Sequence, residues 1–226
     1  MRGTLRVGVA TVTLAALVCG HGSGFAERQH PYLSAASVCV DLSVRDDLSG
    51  PAFTTLRSEA TRIWLRHGVE LTWAYPAPAK CDTVVPVVFD ELRVRALAGP
   101  KRDALALTEF VGCSRKIYVS ASRTFQMAGQ IRGRASAHET IGERDYRQGT
   151  LIGRALAHEL GHVLLNTTAH STGGLMRPVF SAKDALSVDT RATDLSPVET
   201  QRLATRFSLI PLEDPRARPV LAQRGQ

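Results

Sequence analysis

The chain has 226 residues, 44% of them hydrophobic, and 28 Lys and Arg against 21 Asp and Glu give a formal net charge of +7. Its basic residues, Arg93, Arg95, Lys101, Arg102, Arg132, Arg134, Arg144 and Arg147 among them, are dispersed and mostly arginine. No aromatic-interleaved basic patch or nucleic-acid motif is present, which excludes nucleic acid as the expected partner and leaves a solvated basic surface. There are no repeats or low-complexity tracts, so one domain with a sizeable core is expected.

Met1 to Ala26 reads as a signal peptide. Arg2 and Arg6 give a positive start, Val7 to Val18 is an uncharged apolar run, and Gly24-Phe25-Ala26 resembles a small-x-small cleavage site. The run is too short to span a bilayer, so no stable membrane insertion is expected after cleavage behind Ala26. A lipoprotein anchored at Cys19 is the weaker reading, because Val18 stands where a small residue is expected. The product would be secreted or periplasmic. Loss of Arg2 and Arg6 lowers the net charge from +7 to +5. Cys39, Cys81 and Cys113 remain, and an oxidising compartment predicts one disulfide among them with one thiol left over. Cys81 with Cys113 is preferred, since each lies beside an expected strand.

Residues 27–37 read as a loose lead-in, 38–210 as the functional domain and 211–226 as a loose tail. Val38 to Val44 alternates apolar and polar residues as a half-buried strand does. Ser49-Gly50-Pro51 breaks the chain. From Ala52 to His67, Phe53, Leu56, Ala60, Ile63, Trp64 and Leu65 fall at helical spacing, and Gly68 ends the helix. Strands follow at Val69 to Tyr75 and Val84 to Phe89, where Pro86 predicts an edge or bulged strand. A further pair, Leu105 to Val111 and Ile117 to Ala121, flanks Gly112-Cys113-Ser114. Thr124 to Gln148 is rich in glycine and charge with little periodicity, and is expected to be an irregular rim of the site. Within it, His138-Glu139 has Gly142 where a second histidine would be needed and reads as surface loop.

The chemistry concentrates in His158-Glu159-Leu160-Gly161-His162. On a helix, two histidines four residues apart project from one face and can share one Zn²⁺. Glu159, next to His158, can reach a water held there and act as general base. The apolar run around it, Leu151, Ile152, Ala155, Leu156, Leu160 and Val163 to Leu165, suits a largely buried helix, with Asn166 as its expected stop. A hydrolytic zinc site needs a third protein ligand and an open position. His170 is the natural candidate, while Asp184, Asp189, Asp194 and Glu199 remain acidic alternatives.

The stretch His158 to His170 with Gly173-Gly174-Leu175-Met176 resembles the metzincin metallopeptidases, in particular the matrix-metalloproteinase branch. It departs from them in carrying Leu165 at the usual glycine position and seven residues, not five, between the second and third histidines. The resemblance implies that His158, His162 and His170 bind Zn²⁺, that Glu159 is the catalytic base and that Met176 lies in a turn beneath the metal. It also implies an α+β fold: a twisted mixed β-sheet with a backing helix and an active-site helix, and a small irregular C-terminal subdomain ending in a helix. An edge strand above the cleft would pair with extended substrate, for which Ile117 to Ser120 is the candidate. The C-terminal helix is expected from Ser196, Pro197 and Glu199, which form a capping box, with Val198, Leu203, Ala204 and Phe207 as its apolar face.

The expected function is therefore an exported zinc endopeptidase acting on protein or peptide substrates. The alternative is a catalytically silent exported zinc-binding module that recognises a partner or surface component.

Overall fold

The computed structural model describes residues 35–43, 48–74, 80–99, 104–130, 140–179, 186–187 and 189–210. The expected signal peptide, the tail from residue 211 and His138-Glu139 lie outside the described residues.

The described chain is α+β, with one five-stranded mixed sheet and five α-helices. Strand β1 (Ala36–Ser43) leads to helix α1 (Gly50–Leu65), which starts where the Ser49 hydroxyl accepts from the Ala52 N–H at 3.2 Å, with Pro51 in the first turn. It gives way to a turn whose Gly68 adopts φ 79°. Leu56, Ala60, Ile63 and Trp64 of α1 are fully buried, the face that the helical spacing marks as apolar. Strand β2 (Val69–Ala74) returns parallel to β1.

Strand β3 (Thr83–Phe89) pairs in parallel with β1 on one side and with β5 on the other, so it is interior and not the edge that Pro86 suggests. The proline is tolerated because pairing with β5 begins only at Val87, leaving no ladder on that side for it to interrupt. Helix α2 (Glu91–Ala98), capped by the Asp90 carboxylate, lies in a stretch where sequence reasoning proposes no element. Strands β4 (Ala106–Val111) and β5 (Ser114–Val119) form an antiparallel hairpin turned at Gly112, whose φ of 56° suits a two-residue connection. The sheet order is β2-β1-β3-β5-β4. The edge strand beside β5 is thus β4, and Ile117 to Ser120 does not offer the free edge expected of it.

The disulfide joins Cys39 and Cys81, with Cα atoms 5.8 Å apart, not Cys81 and Cys113. The sheet explains the difference. Cys39 is on β1 and Cys81 just precedes β3, its parallel neighbour, whereas Cys113 sits exposed at the β4–β5 hairpin beyond β3.

The stretch expected to be irregular is largely helical. Helix α3 (Ala121–Gln130) buries only small groups, Ala121, Thr124 and Ala128, and leaves Phe125 exposed. Helix α4 (Ile141–Leu165) starts from a reciprocal capping box between Thr140 and Glu143. Its first turns expose Ile141 and Tyr146, so periodicity there says little. Residues 131–139 of this stretch are outside the description.

Helix α4 packs closely along α1 because it carries small residues every fourth position: Gly149, Gly153, Ala157 and Gly161. A Cβ on Gly149 would stand 2.5 Å from the Ala52 carbonyl oxygen, and one on Gly153 2.8 Å from that of Leu56. Further along, the Trp64 indole N–H donates to the Ala157 carbonyl at 3.1 Å. A part-buried ion pair, Arg154 to Glu59 at 2.8 Å, ties the same two helices together. Helix α5 (Pro197–Phe207) closes the fold with the expected Ser196–Glu199 capping box. Leu203 is buried as expected, whereas Val198 faces solvent. No helix among the described residues is long and apolar enough to cross a membrane.

Candidate metal centre

The last two turns of α4 carry His158, Glu159 and His162, and all three are buried. The helix stops where the sequence predicts, at Asn166, whose backbone is left-handed with φ 48° and ψ 55°. That reversal lets the Thr167 N–H satisfy the carbonyl of His162, 3.1 Å away. The same residue then reaches the histidine's side chain: His162 Nδ1 donates to the Thr167 carbonyl at 2.8 Å. His158 Nδ1 donates likewise to the Leu175 carbonyl at 2.7 Å. A carbonyl only accepts, so both Nδ1 atoms carry the proton and both Nε2 atoms present a lone pair.

Those two Nε2 atoms lie 3.1 Å apart. Two ligands each about 2.0–2.1 Å from a common tetrahedral ion stand about 3.3 Å apart, so the separation is close to that of a shared ion. His170, after the turn, completes the group. Its ring stacks on His158 with centroids 5.3 Å apart and meets His162 edge-on at 4.8 Å. One ligand atom from each of the three histidines lies within 4.8 Å of the other two. His170 is exposed where the other two are buried, so the cluster is open on one side. The acidic alternatives are engaged elsewhere: Asp189 pairs with Arg191, Asp194 with Arg66, and Glu199 caps α5. Asp184 is outside the described residues.

Burial holds both His158 and His162 below the usual imidazole range, opposed by the Leu175 carbonyl at His158 and by Glu159 and then the Thr167 carbonyl at His162. Neutral imidazole is the form that ligates a metal. Burial also raises the Glu159 carboxyl, opposed by His162 and by the hydroxyl of Thr108. Thr108 Oγ1 donates to Glu159 Oε2 at 2.7 Å, with the Glu159 backbone oxygen 3.1 Å from the same hydroxyl.

No protein-family model matches this chain, and no curated protein matches it.

Met176 is fully buried against Gly161, where any Cβ would overlap its sulfur, so the glycine inside the histidine motif makes room for the methionine. The turn bearing Met176 is fixed at both ends. The Ser171 N–H donates to the Met176 carbonyl at 2.9 Å, and the Leu175 N–H to the Asp194 carbonyl at 2.8 Å. Gly174, with φ 68°, packs so tightly on that Asp194 carbonyl that a Cβ would not fit. Helix α5 contributes as well: one carboxylate oxygen of Glu199 closes the capping box at the Ser196 N–H, and the other accepts from the hydroxyl of Ser171, next to His170.

The structure thus brings His158, His162 and His170 together, with Glu159 beside them and Met176 beneath the helix that carries them. Sequence reasoning does not find Thr108 or the Ser171–Glu199 bond. Thr108 is one polar residue in an alternating strand, and nothing local marks its partner 51 residues away. Glu199 is legible as a cap, but a cap uses only one of its oxygens.

Proposed function

We propose that this chain is a zinc metallopeptidase of the metzincin type. The observation that carries the reading is the convergence of three imidazoles, two with lone pairs fixed toward each other, beside a buried glutamate. All-imidazole donor sets suit zinc among the available divalent ions, and three protein ligands leave a position for water. The longer interval before His170 does not prevent the third histidine from joining the other two, because Asn166 reverses the chain and 167–169 absorb the extra length.

His158, His162 and His170 would hold the ion. Bound there, zinc supplies Lewis-acid polarisation of a carbonyl and a more acidic water. Glu159 takes a proton from the attacking water and delivers it to the leaving nitrogen, so no covalent enzyme intermediate is needed. Among the described residues β4 is the sheet edge on this side, and an extended peptide added antiparallel or parallel to it would lie next to Glu159. The Cys39–Cys81 disulfide supports an exported location.

The test is metal content of wild type, Glu159→Ala and His170→Ala, together with cleavage of a mixed peptide library. One zinc per chain is expected in wild type with cleavage; Glu159→Ala should keep the zinc and lose cleavage; His170→Ala should bind zinc more weakly. Full zinc affinity in His170→Ala would refute the three-histidine site. Zinc without cleavage by wild type would favour the silent binding module.

A further inference from the structure

Thr108 stands on the edge strand yet reaches across to the glutamate of α4. Side chains alternate along β4. Glu109 bonds Arg93 and Tyr118 on the α2 side of the sheet, so its neighbour Thr108 faces α4. Among the described residues, Thr108 is the only side chain that hydrogen-bonds the Glu159 carboxylate. A hydroxyl has one proton to give, and the 2.7 Å contact directs it to Oε2 in preference to the backbone oxygen at 3.1 Å. The other carboxylate oxygen, Oε1, is thereby left to take a proton.

We propose that Thr108 is a positioning residue that fixes the Glu159 carboxylate and sets the register between β4 and the base. A glutamate has three side-chain torsions, and a base acts only when its oxygen is held within hydrogen-bond reach of the proton it takes. Thr108 removes that freedom through Oε2. Because it belongs to the strand that an extended substrate would pair with, the same residue couples the place of the substrate backbone to the place of the base. The inference rests on the peptidase reading above.

Full-length zinc-loaded wild type, Thr108→Val and Thr108→Ser are compared for zinc content, kcat, KM and the dissociation constant of a peptide-free hydroxamate, whose acidic proton the same carboxylate would accept. Valine matches threonine in shape without the hydroxyl, and serine keeps the hydroxyl. In Thr108→Val, zinc content and KM should hold, kcat should fall about 10-fold or more, and hydroxamate binding should weaken in step. Thr108→Ser should recover most of both. Wild-type kcat and hydroxamate affinity in Thr108→Val would overturn the assignment, as would a serine variant impaired as much as the valine. If zinc-loaded wild type cleaves no peptide, the peptidase reading falls by itself. Hydroxamate binding weakened by valine and restored by serine would then still uphold the role of Thr108, and unchanged binding would end it.

Discussion

The three histidines are held in two different ways. His158 and His162 are rigid by construction: they sit on one helix, buried, each with Nδ1 locked to a backbone carbonyl. His170 is exposed and comes from a loop. That loop is positioned through its neighbours, by the Ser171 N–H on Met176, the Ser171 hydroxyl on Glu199 and the Leu175 N–H on Asp194. The helical pair depends on how α4 is packed and on the Thr167 and Leu175 carbonyls that fix its rings, whereas the loop ligand depends on a few tethers to the C-terminal segment. Perturbations of α4 should therefore appear as lost stability, and perturbations of the tethers as lost metal affinity.

The largest stability effect is expected where α4 meets α1 through its glycines. Gly149→Ala places a methyl 2.5 Å from the Ala52 carbonyl oxygen and 2.6 Å from Thr55 Cβ, so a helix backbone has to move. Overpacking of this kind costs about 1–3 kcal/mol, against about 1 kcal/mol gained from replacing glycine in a helix. Because the atom met is backbone, the upper end applies, and a net loss of about 2 kcal/mol is expected by chemical denaturation. Gly142→Ala, on the same helix with nothing within 4 Å of the added methyl, should instead be neutral or slightly stabilising. Equal responses at the two positions would remove the close-packing account of the helical pair.

This division also marks what could be read in the sequence. The helical ligands, the Asn166 stop and the Ser196–Glu199 cap were legible because each is written in a few adjacent residues whose geometry a single helix end determines. Strands β1 and β2 and helix α1 announce themselves by period. What escaped was nonlocal or masked by small residues. Pro86 misleads because its tolerance depends on where β5 begins to pair, and Cys113 misleads because strand order, not sequence neighbourhood, places Cys39 beside Cys81. Helix α3 escapes because it is short, buries only Ala121, Thr124 and Ala128 while Phe125 stays exposed, and runs into a stretch dominated by glycine and charge.

A second test of the helical pair acts through charge. Burial alone would raise the Glu59 carboxyl, but hydrogen bonds and charge from Arg62 and Arg154 outweigh it and hold the group below the usual carboxylate range. A depressed folded value means stability that is present above the unfolded pKa, about 4.3, and lost as pH falls through the folded one. Glu59→Gln should therefore cost about 1.5 kcal/mol at pH 7, and the difference from wild type should shrink as acid protonates Glu59 in both folded and unfolded wild type. Denaturation curves at pH 7 and in acid measure this directly; a gap between wild type and variant that does not narrow with falling pH would show that the ion pair joining α1 and α4 is not its source.

The tethers of the loop ligand give the smallest expected effect and the clearest contrast. Ser171→Ala deletes the hydroxyl that donates to Glu199 but leaves the Ser171 N–H on Met176 and the Glu199 cap on Ser196 in place. Ser171 is only half-buried, so global stability should change by no more than about 0.5 kcal/mol. Loosening of the residue beside His170 is instead expected to weaken zinc binding about fivefold, a difference of about 1 kcal/mol in affinity. Chelator competition on wild type, Ser171→Ala and Gly149→Ala decides the matter. The tether account requires the affinity loss to appear in the serine variant and not in the glycine variant while both remain folded, because the Nδ1 bonds of His158 and His162 are untouched by either change. Affinity that follows stability across the three proteins would mean that the loop and the helix respond as one body, with His170 held as firmly as the two histidines of α4.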